Sequence, residues 1–294
     1  MPRGLSLAFG RVVGWLWYYV VPVRRHVARV NVHRAFGQSE SAKRQRRIVR
    51  EAFVHQTWMG IEALRLAHHS AATLKAEVRF EGTEHFDKAR AKGKGVILVV
   101  AHLGSFVQCI GAAIFAGFVQ AVIFRKLDAG VTRSFELQLF DHCGAEPVPS
   151  RGSKELVRAV LARGQGLMMA IDQHLAPYRS VVCSFFGQLA ATTPAPARFS
   201  LETGAPIVPM RFRRGPTPER HVISFEPEFV LEAPHADAVA NLVHNTDRLN
   251  HVIERWILDA PEQWLWMHKR WKVHDHPEGW QIPEQFLGLK RNQK

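Results

Sequence analysis

Short apolar runs alternate with longer amphipathic stretches along most of the chain. The runs predict buried strands, because they are rich in β-branched residues and only five to seven residues long; they cover residues 96–100, 119–124, 166–171, 207–213 and 221–225. The amphipathic stretches predict helices over residues 39–69, 106–118, 131–142, 153–163, 194–203 and 236–258. Residues 74–86 indicate a pair of strands or a strand and a turn. This order predicts an α/β fold with a mixed, mostly parallel sheet flanked by helices.

The strand at residues 96–100 runs into the sequence Ala-His-Leu-Gly-Ser, in which the histidine is His102. An apolar helix follows, and Ser105 is suited to its N-cap. His102 therefore lies at the carboxyl end of a strand, where catalytic groups concentrate in open α/β folds. A histidine there can take a proton from a hydroxyl at neutral pH. A histidine that only caps the loop through hydrogen bonds would leave the same pattern.

Two more predicted strands end in polar residues, one in Arg125 and the other in Asp172. The carboxyl ends of parallel strands meet at one edge of a sheet. We therefore expect a base, a cation and an acid, namely His102, Arg125 and Asp172, to converge in one crevice. Each of the last two has a simpler interpretation, a solvated surface cation for Arg125 and a loop cap for Asp172.

The N-terminus combines an apolar segment with a basic one. Residues 5–23 are strongly apolar and contain a cluster of aromatic side chains, although Arg11 interrupts them. Their length is near the minimum of about 17 residues that spans a bilayer. Arginines follow at once, and the positive-inside rule then places the rest of the chain in the cytoplasm. We expect residues 1–34 to bind the membrane, by anchoring or at its interface; the alternative is an amphipathic helix that packs on the domain.

The net charge of +13 favours an acidic partner, and residues 1–50 hold eleven Lys and Arg against the single acid Glu40. Nucleic acid is disfavoured, because the sequence has no zinc-finger spacing, RNA-recognition signature or aromatic-basic repeat. The three cysteines, Cys109, Cys143 and Cys183, lack the spacing of a zinc site or a disulfide framework, so we expect buried thiols and a reducing compartment. We expect no metal and no cofactor.

Four blocks of sequence, in this order, resemble the bacterial lipid A late acyltransferases, the lauroyl and myristoyl transferases of lipopolysaccharide biosynthesis. They comprise residues 101–107, residues 122–125 with 149–152, residues 172–173 with 185–187 and 190–193, and residues 261–270. The apolar N-terminus and the basic residues after it fit the same family. The resemblance covers nearly the whole chain.

The resemblance implies an acyltransferase domain, here residues 35–294, on the cytoplasmic face of the inner membrane. It implies transfer of a fatty acyl chain from acyl carrier protein to a lipid acceptor such as a lipid A precursor or a related glycolipid. His102 matches the general base of the family, Asp172 matches the acid of its third block, and Arg125 matches an arginine linked to substrate binding. We also expect five residues of these blocks to contact substrate: Gly104, Ser105, Gln173, Thr192 and Thr193.

One position departs from the family pattern. An Asp or Glu stands five residues after the histidine in the family, whereas this chain has Val107. A side chain at 107 lies in the first turn of the helix and can face back to the imidazole, but valine cannot fix its tautomer or stabilise its charge. Asp172 is the first candidate to replace the missing acid. The alternative function is a catalytically silent homologue that binds lipid.

Overall fold

The computed structural model describes residues 3–37, 39–66, 68–125, 138–176, 179–215 and 220–274. Its helices are α1 (Arg3–Tyr19), α2 (Arg25–Phe36), α3 (Ala42–Leu66), α4 (Ala71–Glu77), α5 (Thr83–Arg90), α6 (Phe106–Phe115), α7 (Lys154–Ala162), α8 (Ala195–Thr203) and α9 (Ala238–Asp259), with a π-helical turn at Gln138–His142 and 3-10 turns at Pro261–Gln263 and Lys272–His274. Its strands are β1 (Val78–Glu81), β2 (Val96–Val100), β3 (Ala121–Phe124), β4 (Glu146–Pro149), β5 (Gly166–Ala170), β6 (Val181–Phe185), β7 (Gln188–Thr192), β8 (Ile207–Arg214) and β9 (His221–Phe225).

Seven strands form one sheet in the order β1-β9-β8-β2-β5-β3-β4. β8, β2, β5, β3 and β4 pair in parallel, whereas β9 is antiparallel to β8 and pairs in parallel with β1. The fold is therefore α/β with a mixed, mostly parallel sheet flanked by helices, as the sequence pattern predicts. β6 and β7 form a separate antiparallel hairpin.

β2 lies near the middle of the sheet and is buried on both faces. Ile97 and Val99 join the apolar cluster that contains Trp256 of α9, while Leu98 and Val100 join the cluster on the α6 side. Successive side chains of a strand point to opposite faces, so a strand between two helical layers needs apolar residues throughout. This accounts for the unbroken apolar run before His102.

The N-terminal helices pack on the domain. Gly10 and Gly14 of α1 let it approach α3 closely, because a Cβ at Gly14 would lie 2.6 Å from the Cα of Val54. Asn31 of α2 donates its side-chain amide to the backbone oxygens of Trp266 and His268, both at 2.7 Å. α2 also runs through the expected boundary between residues 34 and 35. Among the described residues, no helix combines the length and apolar character that crossing a bilayer requires.

Two local predictions differ from the structure. Residues 74–86 are not a strand pair, because β1 is a single strand between the short helices α4 and α5. Ser70 starts α4 by accepting a hydrogen bond from the backbone N–H of Thr73, and Gly82 precedes α5 with a φ of 68°. The helix expected over residues 131–142 lies mostly outside the described residues, and its described end is a π-helical turn. The β6–β7 hairpin was not predicted; Phe186 and Gly187, both with positive φ, form its tight turn.

Candidate active site

His102 lies in the loop between β2 and α6, at the carboxyl edge of the parallel strands. Gly104 shapes this loop with a φ of 61°, and its N–H donates to the backbone oxygen of Gln263 at 3.0 Å. A Cβ there would come within 3.3 Å of the backbone nitrogen of Arg214. The positive φ favours glycine, and a Cβ would also fit tightly there. The chain reverses tightly here and presents the His102 ring at the sheet edge.

The structure brings His102 and Asp172 together. Nδ1 of His102 lies 2.8 Å from Oδ1 of Asp172, and the backbone N–H of His102 donates to Oδ2 at 2.9 Å. This contact follows from the topology, because β2 and β5 are parallel neighbours and both residues lie just beyond the ends of these strands. Only 1% of the Asp172 side chain is exposed, against 22% for His102. A buried acid thus holds one ring nitrogen of a histidine that is still reachable.

The pKa of His102 is raised and that of Asp172 is lowered, as expected for two groups that form an ion pair. Burial by itself would lower the pKa of His102, but the charge and hydrogen bond of Asp172 outweigh burial and raise that pKa above its ordinary value. Burial by itself would raise the pKa of Asp172, but His102 and the surrounding donors lower it to about 2. Asp172 is therefore a carboxylate at neutral pH, and it favours the protonated form of the imidazole.

The second ring nitrogen of His102 faces Gln173. The side-chain nitrogen of Gln173 lies 3.2 Å from Nε2 of His102. When the ring is neutral and its proton is on Nδ1, directed at Asp172, Nε2 carries the lone pair and the Gln173 amide can donate to it. The ring of Phe106 meets the imidazole edge-on, with 4.9 Å between centroids. Nε2 is thus the atom positioned to receive a proton.

The segment after α9 closes over this loop. Leu103 forms an antiparallel bridge with Trp264, and the N–H of Leu265 donates to the backbone oxygen of His102 at 3.2 Å. The indole Nε1 of Trp264 donates to Oδ2 of Asp172 at 2.8 Å. The only sequence signal for Trp264 was its place in the fourth block of the resemblance, residues 261–270.

Arg270 is a second residue that sequence reasoning did not assign to the site. Its fully buried guanidinium donates to the backbone oxygen of Ala191 at 2.6 Å, to Oγ1 of Thr192 at 2.6 Å and to the backbone oxygen of Gln173 at 3.4 Å. Burial lowers its pKa to about 10, so it remains a cation. Arg270 therefore joins the β7 strand to the residue that contacts His102.

The remaining predicted site residues lie in different settings. Arg125 follows β3 at the same sheet edge, is exposed, and makes no hydrogen bond within the described part of the chain. Ser105 occupies the N-cap of α6 but is buried, and its hydroxyl makes no capping bond. Thr192 is fully buried and accepts from Arg270 and from Asn250. Thr193 accepts from the N–H of Ala195 at 3.3 Å, although Pro194 is the N-cap of α8.

Val107 lies in the first turn of α6. It is fully buried in the apolar cluster that includes Leu98, Cys109 and Phe212. The neighbouring residue of the first turn, Phe106, contacts the ring instead. Position 107 therefore carries no acid, and the carboxylate that holds Nδ1 of His102 belongs to Asp172, which follows β5.

Comparisons with known proteins agree with the sequence blocks. The family model described as bacterial lipid A biosynthesis acyltransferase matches residues 1–273. The lipid A biosynthesis lauroyltransferase of Escherichia coli (strain K12) is 27% identical over 215 residues, which cover 70% of this chain and 64% of that protein. The lipid A biosynthesis acyltransferase of Haemophilus influenzae is 26% identical over 221 residues, covering 74% of this chain and 65% of that protein.

A third relative matches over a longer range. The lipid A biosynthesis palmitoleoyltransferase of Escherichia coli (strain K12) is 24% identical over 304 residues, covering 92% of each chain. The first two matches thus span slightly less than two thirds of those relatives, and the third spans nearly all of its relative. Among solved structures, the 1-acyl-sn-glycerophosphate acyltransferase PlsC of Thermotoga maritima has a TM-score of 0.40 at 12% identity, covering 88% of this chain and 99% of that chain. On the family match over residues 1–273, the chain belongs to the bacterial lipid A biosynthesis acyltransferase family.

Proposed function

We propose that the protein transfers a fatty acyl chain from the thioester of acyl carrier protein to a hydroxyl of a lipid acceptor, a lipid A precursor or a related glycolipid. The observation that carries the proposal is the pair formed by His102 and Asp172. A buried carboxylate holds Nδ1 at 2.8 Å, and 22% of the His102 side chain remains exposed. This is the arrangement that a general base needs.

In the proposed reaction, Nε2 of His102 takes the proton of the acceptor hydroxyl as its oxygen attacks the thioester carbonyl carbon. Asp172 stabilises the imidazolium that forms and keeps the Nδ1 proton in place. The carbon–sulfur bond then breaks, and the departing sulfur takes the proton from Nε2. The acceptor hydroxyl occupies the place where Gln173 now donates to Nε2, so this amide moves aside when the acceptor binds.

The alternative function, a silent lipid-binding homologue, was motivated by Val107. A histidine without an acid would lose control of its tautomer and the charge that stabilises its protonated form. Asp172 meets both needs through its hydrogen bond and its ionised state. The active enzyme is therefore the better supported of the two functions.

The basic residues of the surface are suited to the acidic acyl donor and to an anionic group of a substrate. Acyl carrier protein is acidic, and the exposed basic residues of α2, α3 and the turn before α2 offer a complementary surface; these residues are Arg24, Arg29, Lys43, Arg46 and Arg47. Arg125 lies at the same sheet edge as His102 and is exposed, so we assign it to an anionic group of one substrate. Neither assignment calls for nucleic acid.

The outer face of α1 supports a location at the cytoplasmic face of the inner membrane. Its exposed apolar side chains recur at helical spacing and form a stripe that consists of Leu5, Phe9, Val12, Leu16 and Tyr19, each 53–59% exposed. The opposite face of α1 packs against α3. A helix with one apolar face outward and arginines at its end can lie in the membrane interface, where anionic lipid attracts the arginines.

The proposal is tested by acyl transfer with purified components. Radiolabelled acyl carrier protein is mixed with the protein, anionic vesicles and a panel of acceptor lipids, and labelled lipid is separated and identified by mass spectrometry. Label in a glycolipid acceptor, dependent on the protein, supports the proposal. Binding of lipid with no transfer to any acceptor, while a family member works in parallel, would favour the silent homologue.

A further inference from the structure

The Asp172 carboxylate accepts a hydrogen bond from a third group, the indole of Trp264. Nε1 of Trp264 lies 2.8 Å from Oδ2, the oxygen that also accepts from the backbone N–H of His102. Oδ1 is left for the imidazole Nδ1. The two oxygens of Asp172 therefore have different partners. Oδ2 accepts from the Trp264 indole and the His102 backbone N–H, whereas Oδ1 contacts the His102 ring.

A carboxylate can rotate about the bond that joins it to its side chain unless both oxygens are held. If Oδ2 lost one of its donors, the carboxylate would be freer to turn, and Oδ1 would spend less time on the ring. The proton of a neutral imidazole would then be shared between Nδ1 and Nε2. A His102 ring that carries its proton on Nε2 cannot take the acceptor's proton at that nitrogen.

Trp264 is itself held firmly in place. Only 1% of it is exposed, it bridges to Leu103 of the histidine loop, and its ring meets Trp266 edge-on at 4.6 Å and Phe185 at 5.7 Å. The donor is therefore fixed relative to both members of the pair. A rigid donor is what orienting a catalytic group requires.

We propose that Trp264 is a positioning residue for the proposed base: its indole N–H locks the Asp172 carboxylate so that the proton of His102 stays on Nδ1 and Nε2 is free to act. The inference rests on the proposed function of His102 as a base. Trp264 does not touch the reacting atoms, and it acts through Asp172.

Trp264→Phe removes the donor and keeps most of the ring. Trp266→Phe is the matched control, because Trp266 is buried in the same segment and donates its indole N–H to the backbone oxygen of Pro261, away from Asp172. Where Trp264→Phe does not fold, 3-benzothienylalanine at position 264 keeps the shape of the indole without its N–H. All are compared with the wild-type full chain.

The first measurement is nitrogen NMR of protein labelled in its histidines, with the His102 signals assigned from their loss in His102→Gln. We expect the fraction of neutral His102 with its proton on Nδ1 to fall in Trp264→Phe and to stay at the wild-type level in Trp266→Phe. An unchanged fraction in Trp264→Phe would overturn the positioning role. This readout needs no turnover, so it decides the role of Trp264 even if the proposed acyl transfer fails.

The second measurement separates kcat from KM. Hydrogen bonds to charged groups are strong enough that losing the one from Trp264 should lower kcat about tenfold, with KM nearly unchanged because no substrate contact is lost. Trp266→Phe should change neither constant by more than about twofold. Equal losses of kcat in both variants would show that Trp264 serves packing alone.

Discussion

The Asp172 carboxylate receives two hydrogen bonds from His102, one from the ring Nδ1 at 2.8 Å and one from the backbone N–H at 2.9 Å. The backbone contact ties the acid to the loop that carries the base, so ring and carboxylate move together. The acid lies just beyond the neighbouring strand β5 and not on the helix that follows the histidine. Its position frees residue 107 to be apolar.

The pH dependence of the reaction should reflect the effect of Asp172 on the pKa of His102. A base must be neutral to act, and Asp172 raises the pKa of His102 above 6.5. We therefore expect kcat/KM to fall with decreasing pH along a limb whose midpoint lies above 6.5. In Asp172→Asn the carboxylate is gone and burial alone acts, so the midpoint of the residual activity should move to lower pH. The measurement is the kcat/KM profile of both proteins, and a shift to higher pH would contradict the pairing.

Restoring the family's acid at position 107 should harm this chain. Val107 is fully buried among apolar side chains, and Asp172 already holds Nδ1. We expect Val107→Glu to lower the free energy of unfolding by about 3 to 5 kcal/mol, the cost of an unpaired buried charge, and not to raise turnover.

Denaturant unfolding and initial rates check this prediction, with Val107→Ala as the control for lost packing. A more active Val107→Glu protein of unchanged stability would show that position 107 can reach the imidazole after all.

Gln173 should shield the base in the absence of substrate. Its amide lies 3.2 Å from Nε2 of His102. We expect Gln173→Ala to speed the reaction of His102 with diethyl pyrocarbonate, which attacks an imidazole nitrogen that bears a lone pair. Mass spectrometry of the peptide that contains His102 gives the rate. The exposed His26 serves as an internal reference in the same sample. If the rate of His102 relative to His26 is equal in wild type and Gln173→Ala, Gln173 does not shield the base.

The stripe on α1 should hold the protein on anionic membranes. We expect Phe9→Gln combined with Leu16→Gln to weaken binding to anionic vesicles about tenfold or more, since each substitution removes apolar area that would enter the membrane interface. Flotation with vesicles at several salt concentrations measures the binding.

Leu258→Gln is the control for this membrane prediction, because Leu258 is 56% exposed on α9. If the control weakens binding as much as the α1 variant, the stripe is not the contact surface.

The sequence placed His102 and Asp172 at one sheet edge because the ends of parallel strands are set by simple apolar runs. It could not place Trp264 or Arg270, which reach the site through tertiary contacts across 92 and 97 residues and show no periodic signal. The strand within residues 74–86 was expected, but α4 and α5 on either side of it were not, because short helices carry too few turns to display a helical period.

The most direct test of His102 as the base is the initial rate of acyl transfer from acyl carrier protein by wild type, His102→Ala and Asp172→Asn at matched concentrations of folded protein. We expect His102→Ala to lower the rate by about a hundred- to ten-thousandfold. Asp172→Asn should lower it nearly as far, because the two residues act as one unit. A wild-type rate in His102→Ala would contradict the assignment of this loop as the catalytic site.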